Sequence, residues 1–193
     1  MLLGKEVIGR YYENHRFYHN FNHIKHMFDE ADKHGIVLSE EQYLAILFHD
    51  VVYNPTSMSN EEASCNVFDE YVFGLKAISF DVRLVKQIIM DTQNHIPTCE
   101  ESKIIIDLDL IGLASSEEQY YKNAKLIEWE YTHNNAFTIE EFNKGRIGWL
   151  EAMLNKNPIF YTKWFKNLEK YVKFNIAEEL DIRRQNKDGI FTV

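Results

Sequence analysis

Structure-breaking residues are scarce in this chain: eight glycines and three prolines punctuate 193 positions. Apolar residues recur at intervals of three and four while strand-like alternation is rare, and this pattern predicts an all-α fold. Helix starts are marked by a Ser or Thr followed three residues later by Glu or Gln, a spacing that lets the two side chains satisfy backbone N–H groups of the first turn. It occurs at Ser39 with Gln42, Ser59 with Glu62, Thr98 with Glu101, Ser115 with Glu118 and Thr138 with Glu141. The expected helices cover 5–14, 19–34, 40–52, 60–73, 81–95, 100–113, 116–133, 139–155 and 162–185. Gly35, Pro55, Gly74, Pro97 and Pro158 fall at or between their ends. No repeat or long linker interrupts the series, so a single compact helical domain over 1–193 is expected.

With 13 Phe, 11 Tyr and 3 Trp the chain has ample material for a core, which excludes disorder as a bulk description. Its 30 acidic residues outnumber 21 basic ones, giving a formal net charge of −9. Such a surface repels a phosphate backbone and argues against long nucleic acid as a partner, but one local site can still hold a small phosphorylated molecule. Cys65 and Cys99 form no CxxC pair, so neither a disulfide framework nor a thiolate zinc site is indicated. The opening MLLGKEVIGRYY lacks the apolar run of a secretory signal, and no stretch reaches the roughly 18 uncharged residues of a membrane span. A cytoplasmic protein without a membrane partner is the expectation.

Histidines crowd into one region: His15, His19, His23, His26 and His34 precede His49, His95 and His133. On a helix His19, His23 and His26 share a face, where they either converge on an ion or phosphate or pack and solvate like any other side chain. His49 and Asp50 interrupt the run LAILFHDVVY, which otherwise suits complete burial. Buried there, the pair must be hydrogen-bonded, ion-paired or metal-bound. Asp107 and Asp109 lie in KIIIDLDLIGL and point about 200° apart on a helix, so one of them is expected to face inward, and helical geometry leaves open which.

In order along the chain, His23, His49–Asp50 and Asp109 resemble the H…HD…D signature of the HD superfamily of metal-dependent phosphohydrolases. More narrowly, HRFYHNFNHI (15–24), FHDVVYNP (48–55), SNEEAS (59–64), the Thr92 to His95 segment and LDLIGL (108–113) look like a group of predicted HD phosphohydrolases of about 200 residues. The resemblance covers most of 15–131, the metal-site core, and weakens over the C-terminal helices of about 138–185. It implies an HD-domain-like helical bundle, and it selects Asp109 over Asp107 as the fourth ligand beside His23, His49 and Asp50. Two imidazoles and two carboxylates leave a divalent transition metal nearly charge-compensated, with positions open to water and a phosphate oxygen. Mixed N/O ligation suits one or two ions of Mn, Fe, Co, Ni or Zn.

Further candidates surround that set. Asp50 and, as the resemblance implies, an acidic residue of the SNEE segment near the metal, Glu61 or Glu62, are the expected catalytic groups, Glu62 having also a local reading as the capping partner of Ser59. Arg16, His19, Asn20 and His95 are candidates for substrate contact, with Lys25 and Lys122 as further phosphate-binding candidates. Some nucleotidases of the superfamily carry a glutamate three residues after the HD pair, where this chain has Tyr53. The expected function is hydrolysis of a phosphate ester or anhydride of a small phosphorylated molecule, such as a nucleotide, by metal-activated water. The alternatives are a metal-binding, ligand-sensing domain with little turnover, and a di-iron oxygenase on the same fold recruiting His95 and the Glu61/Glu62 pair. The aromatic C-terminal run reads as core through Trp164, Phe165, Leu168, Tyr171 and Val172, and an apolar helix there is also compatible with a homo-oligomer.

Overall fold

The computed structural model describes residues 3–133 and 136–185. Those residues form α-helices and 3₁₀ turns and no strand, as the spacing requires. None of the helices is long and apolar enough to cross a membrane. Their order is α1 (Leu3–Arg10), α2 (Phe21–Lys33), α3 (Glu40–Phe48), α4 (Asn60–Phe73), α5 (Val82–Thr92), α6 (Glu100–Leu110), α7 (Glu117–Thr132), α8 (Ile139–Asn155) and α9 (Glu169–Gln185). Short 3₁₀ turns at Ile111–Ala114 and Lys166–Leu168 precede α7 and α9. Backbone contacts divide the chain into two compact units, Met1–Asp109 and Leu110–Val193.

In the first unit α3 packs against α2, α4 and α5, and α4 packs against α5. Leu44, Ala45, Ile46 and Phe48 are all buried, so the C-terminal half of α3 is held inside the core, while Glu40 and Tyr43 in its first half stay exposed. Phe48 meets the Phe68 ring edge-on at 5.1 Å, and Val85, Ile88 and Ile89 line the buried stripe of α5. Burying side chains of this kind contributes about 1.5–3 kcal/mol each. The helix ends at Phe48 rather than at residue 52 as the periodicity predicts, because its last carbonyls and those beyond it are claimed from outside. Tyr11 Oη donates to the Leu47 carbonyl at 2.9 Å, and Arg16 donates to Asp50 O at 2.6 Å and Val51 O at 3.0 Å. The Ser64 hydroxyl accepts the Val52 N–H at 3.1 Å. These bonds satisfy groups that a longer helix would pair internally, and they turn the chain sharply at His49 and Asp50.

Full capping boxes form at Ser39 with Gln42 and at Thr138 with Glu141. The other three expected boxes do not form. Ser59 makes no side-chain cap bond, and the neighbouring Asn60 amide instead bonds the backbone of Asn54. The Thr98 hydroxyl is drawn to the Asp91 carboxylate, and α7 starts from Ser116 rather than Ser115, again without a side-chain cap. Conversely, Asp81 caps α5 through the Arg83 and Leu84 N–H groups, which the spacing rule does not flag.

In the second unit α8 packs against α7 and α9, and the Ile111–Ala114 turn packs against both α7 and α9. The final helix begins at Glu169, not at 162, because Glu169 Oε1 accepts the backbone N–H groups of Ile159 and Phe160 at 2.9 and 3.0 Å and holds the preceding segment as a loop. Phe165 and Val172 are therefore core, whereas Trp164 and Tyr171, expected to be packed, are exposed. A buried ion network crosses this unit. Arg146 binds Glu179 through two bonds of 3.0 Å, Arg183 Nε reaches the same carboxylate at 2.7 Å, and Tyr120 Oη donates to it at 2.5 Å. Arg183 Nη1 also meets Asn143 and, at 3.3 Å, Glu128.

Candidate metal centre

The first unit gathers three chemically matched side chains from three helices. His23 lies in the first turn of α2, His49 caps the C-terminus of α3, and Asp109 is the penultimate residue of α6. One ligand atom from each lies within 4.8 Å of the other two, an arrangement that could coordinate a divalent metal ion. His23 Nε2 is 3.0 Å from Asp109 Oδ1, and His49 Nε2 is 3.7 Å from the same oxygen. Asp50 extends the cluster, with Oδ2 at 3.2 Å from His49 Nε2. His95 reaches it from the other oxygen, its Nε2 lying 3.3 Å from Asp109 Oδ2.

The tautomer of His49 follows from its neighbours. Its Nδ1 lies 3.0 Å from the Ile46 carbonyl, which can only accept, so Nδ1 carries a proton and Nε2 is the nitrogen that takes up either a second proton or a metal ion. That Nε2 is buried and has no hydrogen-bond partner among the described residues. A bare lone pair facing two carboxylates is repulsive, and the conflict is relieved by placing a cation between them, whether a proton or a metal ion. The titration behaviour has the same origin. Burial pushes the His49 imidazole down, but the charges of Asp50 and Asp109 outweigh it and raise the group to about 9. Burial pushes Asp50 up, yet the facing His49, with His19 behind it, holds the carboxyl well below its usual range. Asp109 is likewise driven up by burial and brought well below the carboxylate range by its bonds to His23 and His95 and the charge of His49. A divalent ion would exploit the field that favours a protonated His49, and two imidazole nitrogens with carboxylate oxygens suit Mn, Fe, Co, Ni or Zn.

The surrounding residues divide by what they touch. Glu61 is half-buried, and its carboxyl is pushed up first by burial, then by Asp50, against the opposing charges of His49 and His95. It thus lies within electrostatic reach of the cluster, whereas Glu62 is exposed. The His19 ring stacks on Tyr53 at 4.3 Å and lies edge-on to His23 at 5.8 Å. The Arg16 guanidinium sits 5.8 Å from the Tyr53 ring centre, is buried, and donates to Glu13 and to the carbonyls of His19, Asp50 and Val51. Its donors hold the HD turn in place. Asn20 is the N-cap of α2, accepting the Asn22 N–H at 2.8 Å and donating to Phe17 O at 2.8 Å. Lys25 is exposed and paired with Asp29 at 2.5 Å, and Lys122 is exposed on α7. His26 is half-buried and lowered by that burial, outside the three-residue cluster.

Of the two aspartates in DLDL, Asp109 joins the cluster while half-buried, and Asp107 is fully buried, so the expectation that one faces inward is corrected to both. Sequence reading passed over Asp91. Its signal is the one that marks Asp50, a carboxylate in an otherwise apolar run, here VKQIIMDT.

No protein-family model matches the chain, and no curated protein or solved structure does so either.

Proposed function

We propose that this protein is a metal-dependent phosphohydrolase acting on a small phosphorylated molecule, with His23, His49, Asp50 and Asp109 as the ligands of one divalent transition-metal ion. The observation that carries the reading is the buried His49 Nε2, which faces the carboxylates of Asp50 and Asp109 at 3.2 and 3.7 Å beside His23. The H…HD…D order of these residues, similar to that of the HD superfamily, adds the reaction class. Bound there, the ion would acidify a coordinated water and withdraw charge from a phosphoryl oxygen. The chain's own residues would do the rest. His49, fixed by Ile46 O, keeps Nε2 in the ligand tautomer. Arg16 holds the carbonyls of Asp50 and Val51 and so presents the Asp50 carboxylate inward. Glu61, whose carboxyl is raised by burial, is suited to deliver a proton to the leaving oxygen, in place of the glutamate for which this chain has Tyr53. His19 and His95 border the cluster and would contact the phosphate.

A second reading, a ligand-sensing domain without efficient turnover, draws support from Tyr53, which lies between the His19 ring and the Arg16 guanidinium and supplies no acid. One experiment separates the two: metal analysis of protein purified without added metal, followed by a screen of nucleoside mono-, di- and triphosphates and a chromogenic phosphodiester. Hydrolysis that disappears together with the metal in Asp50→Ala supports the enzyme. Tight metal binding with no turnover on any phosphate supports the sensor.

A further inference from the structure

Asp91 is a carboxylate 5% exposed in the last turn of α5, and its two oxygens are surrounded by donors from three places in the chain. Gln87 Nε2 reaches it from α5 at 3.0 Å. The Thr98 N–H and hydroxyl reach it from the connecting turn at 2.8 and 2.9 Å. The Ser102 hydroxyl reaches it from α6 at 2.5 Å, and the Asp91 carbonyl accepts the Ile96 N–H at 3.3 Å. Charge-assisted bonds of this kind are about twice as strong as neutral ones, so the carboxylate ties α5, the 93–99 turn and α6 into one knot. Inside that turn His95 has φ 53°, a left-handed conformation that is unfavourable for a non-glycine residue and persists where the surroundings impose it.

The knot has a consequence at the metal centre. His95 lies within a turn closed at both ends by Asp91, and its Nε2 is 3.3 Å from Asp109 Oδ2, while Asp109 Oδ1 faces His23 and His49. With Oδ2 engaged by His95, turning the Asp109 carboxylate away from His23 and His49 breaks that contact. We propose that Asp91 is a positioning residue which, through the turn it closes, seats His95 on Asp109 Oδ2 and thereby fixes Asp109 Oδ1 toward the cation. This rests on the cation reading of the His23, His49 and Asp109 cluster. It assigns His95 the task of orienting a ligand, since ligating carboxylates are themselves held by hydrogen bonds whose loss typically weakens metal affinity 10–100-fold.

The test is calorimetric titration of the full chain with Mn(II), alongside thermal unfolding of each metal-free variant. Asp91→Asn, which places an amide donor among donors, and His95→Ala each weaken Mn(II) binding about 10–100-fold. His95→Gln, which retains an N–H near the position of Nε2, recovers most of the affinity. The double variant Asp91→Asn/His95→Ala binds no more weakly than His95→Ala alone, because both act through one path. Ser102→Ala, which removes a single bond and keeps the carboxylate, shows a smaller loss in the same direction and covers the case in which Asp91→Asn does not fold. Unchanged affinity in Asp91→Asn or Ser102→Ala overturns the proposal, as does additivity in the double variant. Equal losses in His95→Gln and His95→Ala also overturn it, by making His95 a ligand in its own right. Absence of Mn(II) binding by the wild-type chain removes the cation reading itself, an outcome distinct from wild-type binding that the variants leave unchanged.

Discussion

Each unit of this protein buries a cluster of charged side chains, and the two clusters are built on opposite rules. Around Glu179 every close contact pairs a donor with an acceptor: Arg146, Arg183 and Tyr120 all donate to one carboxylate, which is held down at about 2 despite its burial. Around His49 two carboxylates, Asp50 and Asp109, converge at 3.2 and 3.7 Å on one imidazole nitrogen, Nε2, the position where a proton or a metal ion binds. The first cluster is complete as it stands, one Arg183 Nη2 apart. The second would be completed by a cation. Charge balance, more than burial, separates a structural network from a candidate site.

The largest effect is expected where the complete network is broken. Glu179→Ala leaves Arg146 and Arg183 buried without their carboxylate and should lower unfolding free energy by about 3–5 kcal/mol, measured by urea denaturation. The matching change in the other cluster should show its signature in the presence of metal. A divalent ion at a hundred times its Kd should stabilise the wild-type chain by about 2.7 kcal/mol, and this increment should vanish in His49→Ala and remain in Glu179→Ala if that variant folds. An equal increment in wild type and His49→Ala would erase the contrast between the clusters.

Titration sharpens the contrast further. His49 is raised to about 9, so without metal its contribution to stability is fully present below its unfolded value near 6.5 and is lost as pH rises through 9. Metal must displace that proton, so affinity should climb about tenfold per pH unit, on the order of 1.4 kcal/mol, from pH 7 to 9 and then level off. Glu179 behaves in the opposite sense. Lowered to about 2, it contributes above the unfolded glutamate value and loses that contribution only as pH falls toward 2, with no response to metal. Calorimetric titration across pH, paired with denaturation curves, reads both. The smallest effect belongs to local structure: Thr138→Ala removes the capping box of α8 and should cost about 1 kcal/mol, with metal affinity unchanged.

Helical class was legible because apolar spacing at three and four is a property of the sequence itself. The convergence of His23, His49 and Asp109 was expected from the resemblance of their order to the H…HD…D signature, whereas burial of polar residues in apolar runs pointed to His49 and Asp50 and left Asp107 and Asp109 undecided. What the sequence hid were side chains acting at a distance. Arg16 looked like a phosphate ligand, yet its guanidinium is directed to carbonyls 34 and 35 positions away. Nothing local in α3 announces its end at Phe48, which Tyr11 and Arg16 bring about from another segment. Thr98 carries a capping signature that is overridden by Asp91, a stronger acceptor seven positions back. Trp164 kept its helical spacing on paper, but Glu169 diverted the backbone that would have made the helix.

The claim at the centre of this account is that three helices of the first unit hold a divalent cation. Anomalous diffraction at the absorption edge of a bound Mn, Fe, Co, Ni or Zn ion tests it most directly. The expected result is a single strong peak about 2.0–2.2 Å from His23 Nε2, His49 Nε2 and an oxygen of Asp109. Crystals grown with metal that show no peak there, or whose His49 Nε2 keeps its present surroundings while the ion binds elsewhere, would contradict it.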